Sequence, residues 1–273
     1  MSTEATSPAA LRDEVEALEW YHTIELAPGL ETPGWHDTRP ILAELPFPAS
    51  LEGKRCLDVG TFDGFWAFEM ERRGASEVLA IDILDPRAWD WPVGSEDEVV
   101  ATIGRRKAAG RGFEIAQREL RSSVRRFERS VYDVDEAELG RFDLIFLGSL
   151  LIHLREPVRA LERLREVCDG SMIVMDGIDL PLSILHPRKP VAAFDGRGRP
   201  WWWYANQAGL QRMLEAAGWD VLEPPRRLYM PAGRGQPLQR YDPRLLLSRE
   251  GRRHLVIAHR GDPHAVTTAR PRV

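Results

Sequence analysis

The chain has 273 residues, enough for one large domain or two small ones. With 43% hydrophobic and 29% charged residues it has an ordinary globular composition, which excludes a disordered, collagen-like or coiled-coil chain. Its longest apolar runs, such as Leu144 to Ile152, reach about nine residues where a membrane-spanning helix needs about 20. The acidic start lacks the basic region and apolar centre of a secretion signal, so a cytoplasmic enzyme without membrane contact is expected. Cys56 and Cys168 are too few for a disulfide framework or a cysteine-based metal site; both read as packing residues, and no metal is expected.

The formal charge of -5 conceals a segregation. Residues 1–50 hold nine acids and two bases, Gly104 to Ser130 nine bases and three acids, and Pro224 to Val273 eleven arginines and three acids. Such clusters are either solvated helix faces or phosphate-binding surfaces, and the first reading is favoured.

In chain order, a helix is expected from Ala9 to Tyr21, capped by Ser7 and Pro8. A Pro/Gly-rich loop and a short helix at Arg39 to Glu44 follow. Alternation then begins: strand Arg55 to Val59, a Gly-rich turn, helix Phe65 to Arg73, strand Glu77 to Ile81. Helix Glu114 to Leu120, strand Arg125 to Tyr132, strand Phe142 to Leu147, helix Pro157 to Cys168 and strand Ser171 to Asp176 continue it. This predicts an α/β fold with a doubly wound, mostly parallel sheet. Further on, Gln207 to Ala217 reads as a helix and Trp219 to Leu222 and His254 to His259 as strands. The irregular stretches Leu180 to Tyr204 and Pro224 to Arg253 read as long loops of the kind that form lids or binding walls.

The strongest chemical signal is Asp58-Val59-Gly60-Thr61-Phe62-Asp63-Gly64 at the first strand end, with Asp82 closing the second strand 22 residues after Gly60. Glycines let backbone approach a ligand, and an acid at the second strand end can accept both hydroxyls of a ribose. The middle glycine of a dinucleotide fingerprint is replaced by Phe62. Asp63 would repel a phosphate, whereas it could face an ammonium or sulfonium. A nucleoside cofactor without a pyrophosphate is the result.

The segments DVGTFDGFW, VLAIDI, SVYDVD, FDLIFLGSLLIHL and WWWYANQAGLQRMLEAAGW resemble the successive motifs of class I S-adenosylmethionine-dependent methyltransferases, over about Trp20 to His259. Within that class the chain is similar to the tRNA wobble-uridine methyl/carboxymethyl transferases and their relatives. The resemblance implies S-adenosyl-L-methionine as cofactor. Asp58, Gly60, Thr61, Asp63 and Gly64 would hold its methionine end, with Phe62 in the same turn. Asp82, followed by Ile83, would take the ribose. Asp133 would meet the adenine, with Tyr132 or Val134 beside the ring, and Gly148 and Ser149 would pass under the sulfonium. Asp133 reads alternatively as a helix cap. The organisation implied is an N-terminal helix and lid over residues 1–50, then a Rossmann-like methyltransferase domain over 51–273 with substrate-shaping insertions near 180–206 and 224–253.

For the acceptor, His153 after the fourth strand is the first candidate base and His22 the second. Trp20-Tyr21-His22 and the loop containing Trp35, His36 and Asp37 suit a lid that excludes water around a sulfonium, or else the packing of a terminal helix. In Trp201-Trp202-Trp203-Tyr204-Ala205-Asn206, at least one aromatic should line a cleft. Trp202, Trp203 and Asn206 are the substrate candidates there, although the resembling proteins have proline where Ala205 stands. The carboxymethyl-transferring relatives have tyrosine at the position of Ile152, which puts that transfer in doubt here. The expected function is methyl transfer to a small-molecule acceptor at O or N. The alternatives are modification of tRNA wobble uridine, and an enzyme that keeps S-adenosylmethionine without methylating.

Overall fold

The computed structural model describes residues 7–237 and 243–272. Strands β1 (Arg55–Val59), β2 (Glu77–Asp82), β3 (Arg125–Glu128), β4 (Phe142–Gly148) and β5 (Cys168–Gly177) run parallel in the order β3-β2-β1-β4-β5. The apolar runs of β1, β2 and β4 are buried on both faces, as central parallel strands are. Three later strands complete the sheet: β6 (Trp219–Val221), β7 (Arg226–Met230) and β8 (Asp262–Pro271). The long strand β8 runs antiparallel to β5 and pairs along its other edge with both β6 and β7.

Helices α1 (Pro8–Glu16), α2 (Phe65–Arg72), α3 (Asp97–Lys107), α4 (Arg111–Leu120), α5 (Pro157–Glu166), α6 (Gln207–Ala216) and α7 (Arg249–Arg260) surround it. Alternate residues of a strand face opposite sides. Thus Phe146 joins the core beneath α1, α2 and α4 with Leu11, Trp66 and Phe113. Its neighbours Ile145 and Leu147 join the other core with Leu161 and Leu214 of α5 and α6. No helix of the described residues is long and apolar enough to cross a membrane.

The N-terminal segment packs into the first core through Leu11, Val15 and Trp20. Its helix ends at Glu16 rather than Tyr21, because Trp20–His22 becomes a short strand paired in parallel with Gly34–His36. Only glycine fits at Gly34, where a Cβ would lie 2.2 Å from the His22 carbonyl carbon.

Three other expectations are corrected. His254 to His259 is not a strand but the second half of α7, whose cap Ser248 accepts from the Gly251 amide at 2.9 Å. The stretch read as loop from Pro224 contains β7, and the last long strand, β8, was not expected. The third strand stops at Glu128, and a tight 3-10 turn occupies Val131–Asp133.

Candidate active site

At the end of β1 the chain must reverse within a few residues to enter α2. Gly60 does so at φ 76°, its amide donating to the Ile81 carbonyl at 2.9 Å. Asp82 closes the turn from the neighbouring strand: its carboxylate accepts from the Phe62 amide and the Ile83 amide, both at 2.7 Å. It also pairs with Lys107, a contact the sequence did not suggest. Lys107 ends α3, and three successive left-handed residues, Ala108, Ala109 and Gly110, turn the chain there into α4. Its ammonium lies inside the protein, 4.3 Å from the centre of the Phe62 ring. Burial lowers its pKa, and the charge of Asp82 opposes that shift.

Over this sheet edge lies a cavity of about 670 Å³, within the range of small-molecule sites. Asp82, Ile83, Gly60 and Phe62 line one end, beside Trp89 and Tyr132. Gly148 and Ser149 lie on its wall after β4. Tyr21, Trp35 and His36 of the N-terminal segment cover it, and Ile152, His153, Trp201 and Arg253 close the far end. These residues come from the N-terminal segment, the parallel strand ends, the 180–206 insertion and α7 together.

Several sequence candidates lie elsewhere. Asp63 does not face the cavity: it accepts from the backbone amides of Tyr21 at 2.9 Å and His22 at 2.8 Å, and pairs with the His22 ring. Asp63 therefore ties the covering segment to the cofactor turn. His22, 3% exposed and stacked on Phe65, is held behind the cavity wall and cannot reach an acceptor there. Trp20 is a core residue whose indole donates to the Val15 carbonyl. Asp58 and Thr61 are buried beneath the turn, each with a side-chain oxygen unpartnered among the described residues. Burial pushes the Asp58 carboxyl up to about 7. Gly64, at φ 92°, starts α2 behind the cavity.

Asp133 is exposed away from the cavity, and the cap of the short helix that follows is Asp135 instead. Asp37 is engaged by Arg39. Trp202 and Trp203 donate their indole N–H groups to the carbonyls of Asp90 and Arg155, which positions the insertion and leaves Trp201 as the cavity-facing member of the run. Asn206, fully buried, caps α6 through Gly209, accepts from Val191 and donates to the carbonyls of His186 and Lys189. All its hydrogen-bonding capacity is structural.

His153 does line the cavity. Its Nδ1 lies 2.8 Å from the Pro200 carbonyl, which can only accept, so the neutral ring carries its proton there; burial holds it down to about 4. A second histidine had no place in the sequence reading. His264, on β8 and 1% exposed, lies 2.9 Å from Ser149 Oγ through Nε2 and 2.9 Å from the Asp262 carbonyl through Nδ1. Ser149 adopts φ 52°, unusual for a residue with a Cβ. Asp262 pairs with Arg253 at 3.1 Å; burial opposes its ionisation, but the Arg253 guanidinium holds it below the ordinary carboxylate range. Asp176 supports the loop after β4 by accepting from the Leu150 and Leu151 amides, and burial pushes it up to about 6.

Two missed residues left some trace in the sequence. Lys107 is one of only three lysines among 37 bases, where an arginine would have sufficed for a solvated face. Trp201 belongs to the aromatic run already singled out. His264 and Arg253 left none, since the strand that carries the first mixes polar and small residues and the apolar run beside the second fits a strand as well as a helix.

The arrangement suits a nucleoside ligand. The ribose-type acid stands at the carboxyl edge of the sheet, where ligands of open α/β sheets bind. His36, on the cavity wall, keeps its buried Nδ1 unpartnered among the described residues, as expected where a ligand supplies the partner.

The profile of the methyltransferase domain family matches residues 35–223. The chain belongs to the methyltransferase domain family. Its fold is that of the class I, S-adenosylmethionine-dependent enzymes. The ubiquinone biosynthesis O-methyltransferase of Neisseria meningitidis serogroup C (strain 053442) is 29% identical over 197 residues, 69% of this chain and 73% of that protein. Among solved structures, the N-terminal domain of EvdMO1, determined in the presence of SAH and D-fucose, superposes with a TM-score of 0.51 at 17% identity, covering 100% of both chains. A chain from the complex of the Haloferax volcanii Trm112 methyltransferase activator with a putative methyltransferase gives a TM-score of 0.53 at 14% identity, covering 88% of this methyltransferase and 90% of that chain.

Proposed function

We propose that this methyltransferase transfers the methyl group of S-adenosyl-L-methionine to a hydroxyl of a small aromatic acceptor. The observation that carries this reading is the single cavity running from Asp82 past Gly148 and Ser149 to Trp201. It has room for a nucleoside and a small ring, and Tyr21, Trp35 and Trp201 give its acceptor side aromatic faces. The likeness to an O-methyltransferase supports the choice of oxygen.

Within this reading Asp82 accepts from the ribose, Trp89 and Tyr132 flank the adenine, Gly148 and Ser149 adjoin the sulfur, and Tyr21, Trp35 and His36 exclude water. When bound, S-adenosyl-L-methionine supplies an electrophilic methyl on a cationic sulfur. The protein's own task is alignment and removal of the acceptor proton. Asp63 contributes by fastening the cover to the cofactor turn. Ile152, apolar on the cavity wall, supports transfer of a plain methyl rather than a carboxymethyl group.

A tRNA wobble-uridine acceptor remains the second reading, resting on the arginine-rich segment. Several of its charges are compensated, mostly from outside the segment: Arg106 pairs with Glu19, Arg118 with Glu14, Arg125 with Glu77, and Arg126 with Glu114. Incubation with methyl-labelled S-adenosylmethionine and either a panel of phenols and catechols or bulk tRNA decides between the two. Label in the small aromatic compounds is the expected result, and label in tRNA alone overturns it.

A further inference from the structure

We infer that His264, acting through Ser149, takes the proton from the acceptor hydroxyl. This rests on the aromatic-hydroxyl reading and adds a residue outside the matched family region.

The geometry sets the direction of proton movement. The Asp262 carbonyl oxygen 2.9 Å from His264 Nδ1 can only accept, so Nδ1 carries the hydrogen and Nε2 of the neutral ring presents its lone pair. Ser149 Oγ, 2.9 Å from Nε2, therefore donates to it, which leaves two lone pairs to accept, one facing the Tyr21 phenol and one open to an acceptor hydroxyl. Both side chains are on the cavity wall, and Ser149 directly follows Gly148, at the strand end assigned to the sulfur. The left-handed backbone at Ser149 places the hydroxyl between β8 and the cavity, as a strained residue at a functional position does.

The groups around the ring suit a transient positive charge. Asp262 lies on its own strand and Asp176 on β5, with the phenol of Tyr21 near Ser149. Against these stand Arg253, which is paired with Asp262, and His36, which burial keeps neutral with a pKa of about 3. His153 is the less suitable base, because burial without a facing carboxylate weakens it and Arg253 lies nearby.

The step balances. The acceptor O–H donates to Ser149 Oγ while the serine proton moves to His264 Nε2. The acceptor oxygen forms its bond to the methyl carbon as the carbon–sulfur bond breaks, and that electron pair stays on sulfur. The sulfonium charge is lost as the imidazolium charge appears. The imidazolium then returns its proton to solvent when the products leave.

The test uses the whole enzyme with two probes, catechol and 4-nitrocatechol; the acidic hydroxyl of the second ionises near neutral pH without help. In His264→Gln, which keeps a polar partner for Ser149, kcat for catechol should fall on the order of a hundredfold. With 4-nitrocatechol it should fall only a few-fold, and calorimetric SAH affinity should hold. Ser149→Ala should show the same split between the two probes. In ¹⁵N-histidine-labelled wild type with SAH, His264 should appear as the Nδ1–H tautomer. An equal loss on both probes, full catechol turnover in His264→Gln, or an Nε2–H tautomer overturns the assignment of His264. Wild type that methylates neither probe overturns the aromatic-hydroxyl reading itself, and the proposal with it.

Discussion

Lys107 and Asp82 set the main electrostatic constraint at single-residue scale, since each is buried and each compensates the other. Removing one partner of such a pair strands the other charge, at about 3–5 kcal/mol. Asp82→Ala is therefore expected to lower the urea midpoint as well as cofactor affinity, and Lys107→Met combined with it should recover stability but not SAH binding. Recovery of both would mean that Asp82 serves the fold alone. Histidine burial gives a second expectation. His36 and His153 are held neutral in the folded protein, with pKa values near 3 and 4 against an ordinary value of 6.5. Below 6.5 the unfolded chain binds protons that the folded one does not, so stability is fully present above that pH and falls as pH drops from 6.5 toward 3. His36→Gln should flatten that decline in a pH series of urea titrations.

Among the elements, the covering segment depends on Asp63, which accepts two backbone amides from the strand Trp20–His22. Asp63→Ala should leave the sheet folded while hydrogen exchange quickens across residues 20–36; unchanged protection would locate the fastening elsewhere. Asn206→Ala, which abandons two part-buried carbonyls and two amides, is expected to cost about 2–4 kcal/mol in urea unfolding. What could be read from sequence follows from periodicity. The strands of the parallel half are mostly short buried apolar runs bounded by turn residues, so the first half of the sheet was legible, and with it the place of the glycine-rich turn and of Asp82 at the next strand end. HLVIAH is equally apolar, and such a run does not tell strand from buried helix; the cap Ser248 and Gly261 beyond the last turn, which make it α7, are weak signals beside it. Strand β8 was hidden because HAVTTA mixes polar and small residues, although its burial between β5 and β7 makes it central. With β8 misplaced, His264 and Asp262 could not be brought to the cavity. Asp63 and His22 were read as cofactor and acceptor groups because nothing local shows that each would find the other 41 residues away.

The charge segregation takes its meaning at the scale of the whole molecule. The acidic N-terminal segment packs where α3 and α4 present arginines, so Glu14 and Glu19 meet Arg118 and Arg106, and opposite ends of the charge pattern cancel locally. Exposed pairs of this kind add little stability each, but they offset part of the positive charge on this face. Binding of bulk tRNA at about 150 mM salt should accordingly be weak, and a tight complex whose affinity falls steeply with salt would contradict this. The fold as a whole brings the N-terminal cover, the parallel strand ends and the C-terminal half around one cavity, which under the proposed function takes its nucleoside cofactor through Asp82. Isothermal titration with SAH tests it most directly. Wild type should bind SAH and not NAD, and Asp82→Asn should weaken binding about tenfold or more, the value of one charged hydrogen bond. An unchanged affinity in the variant, or tight binding of NAD, would contradict a role for Asp82 in holding this cofactor.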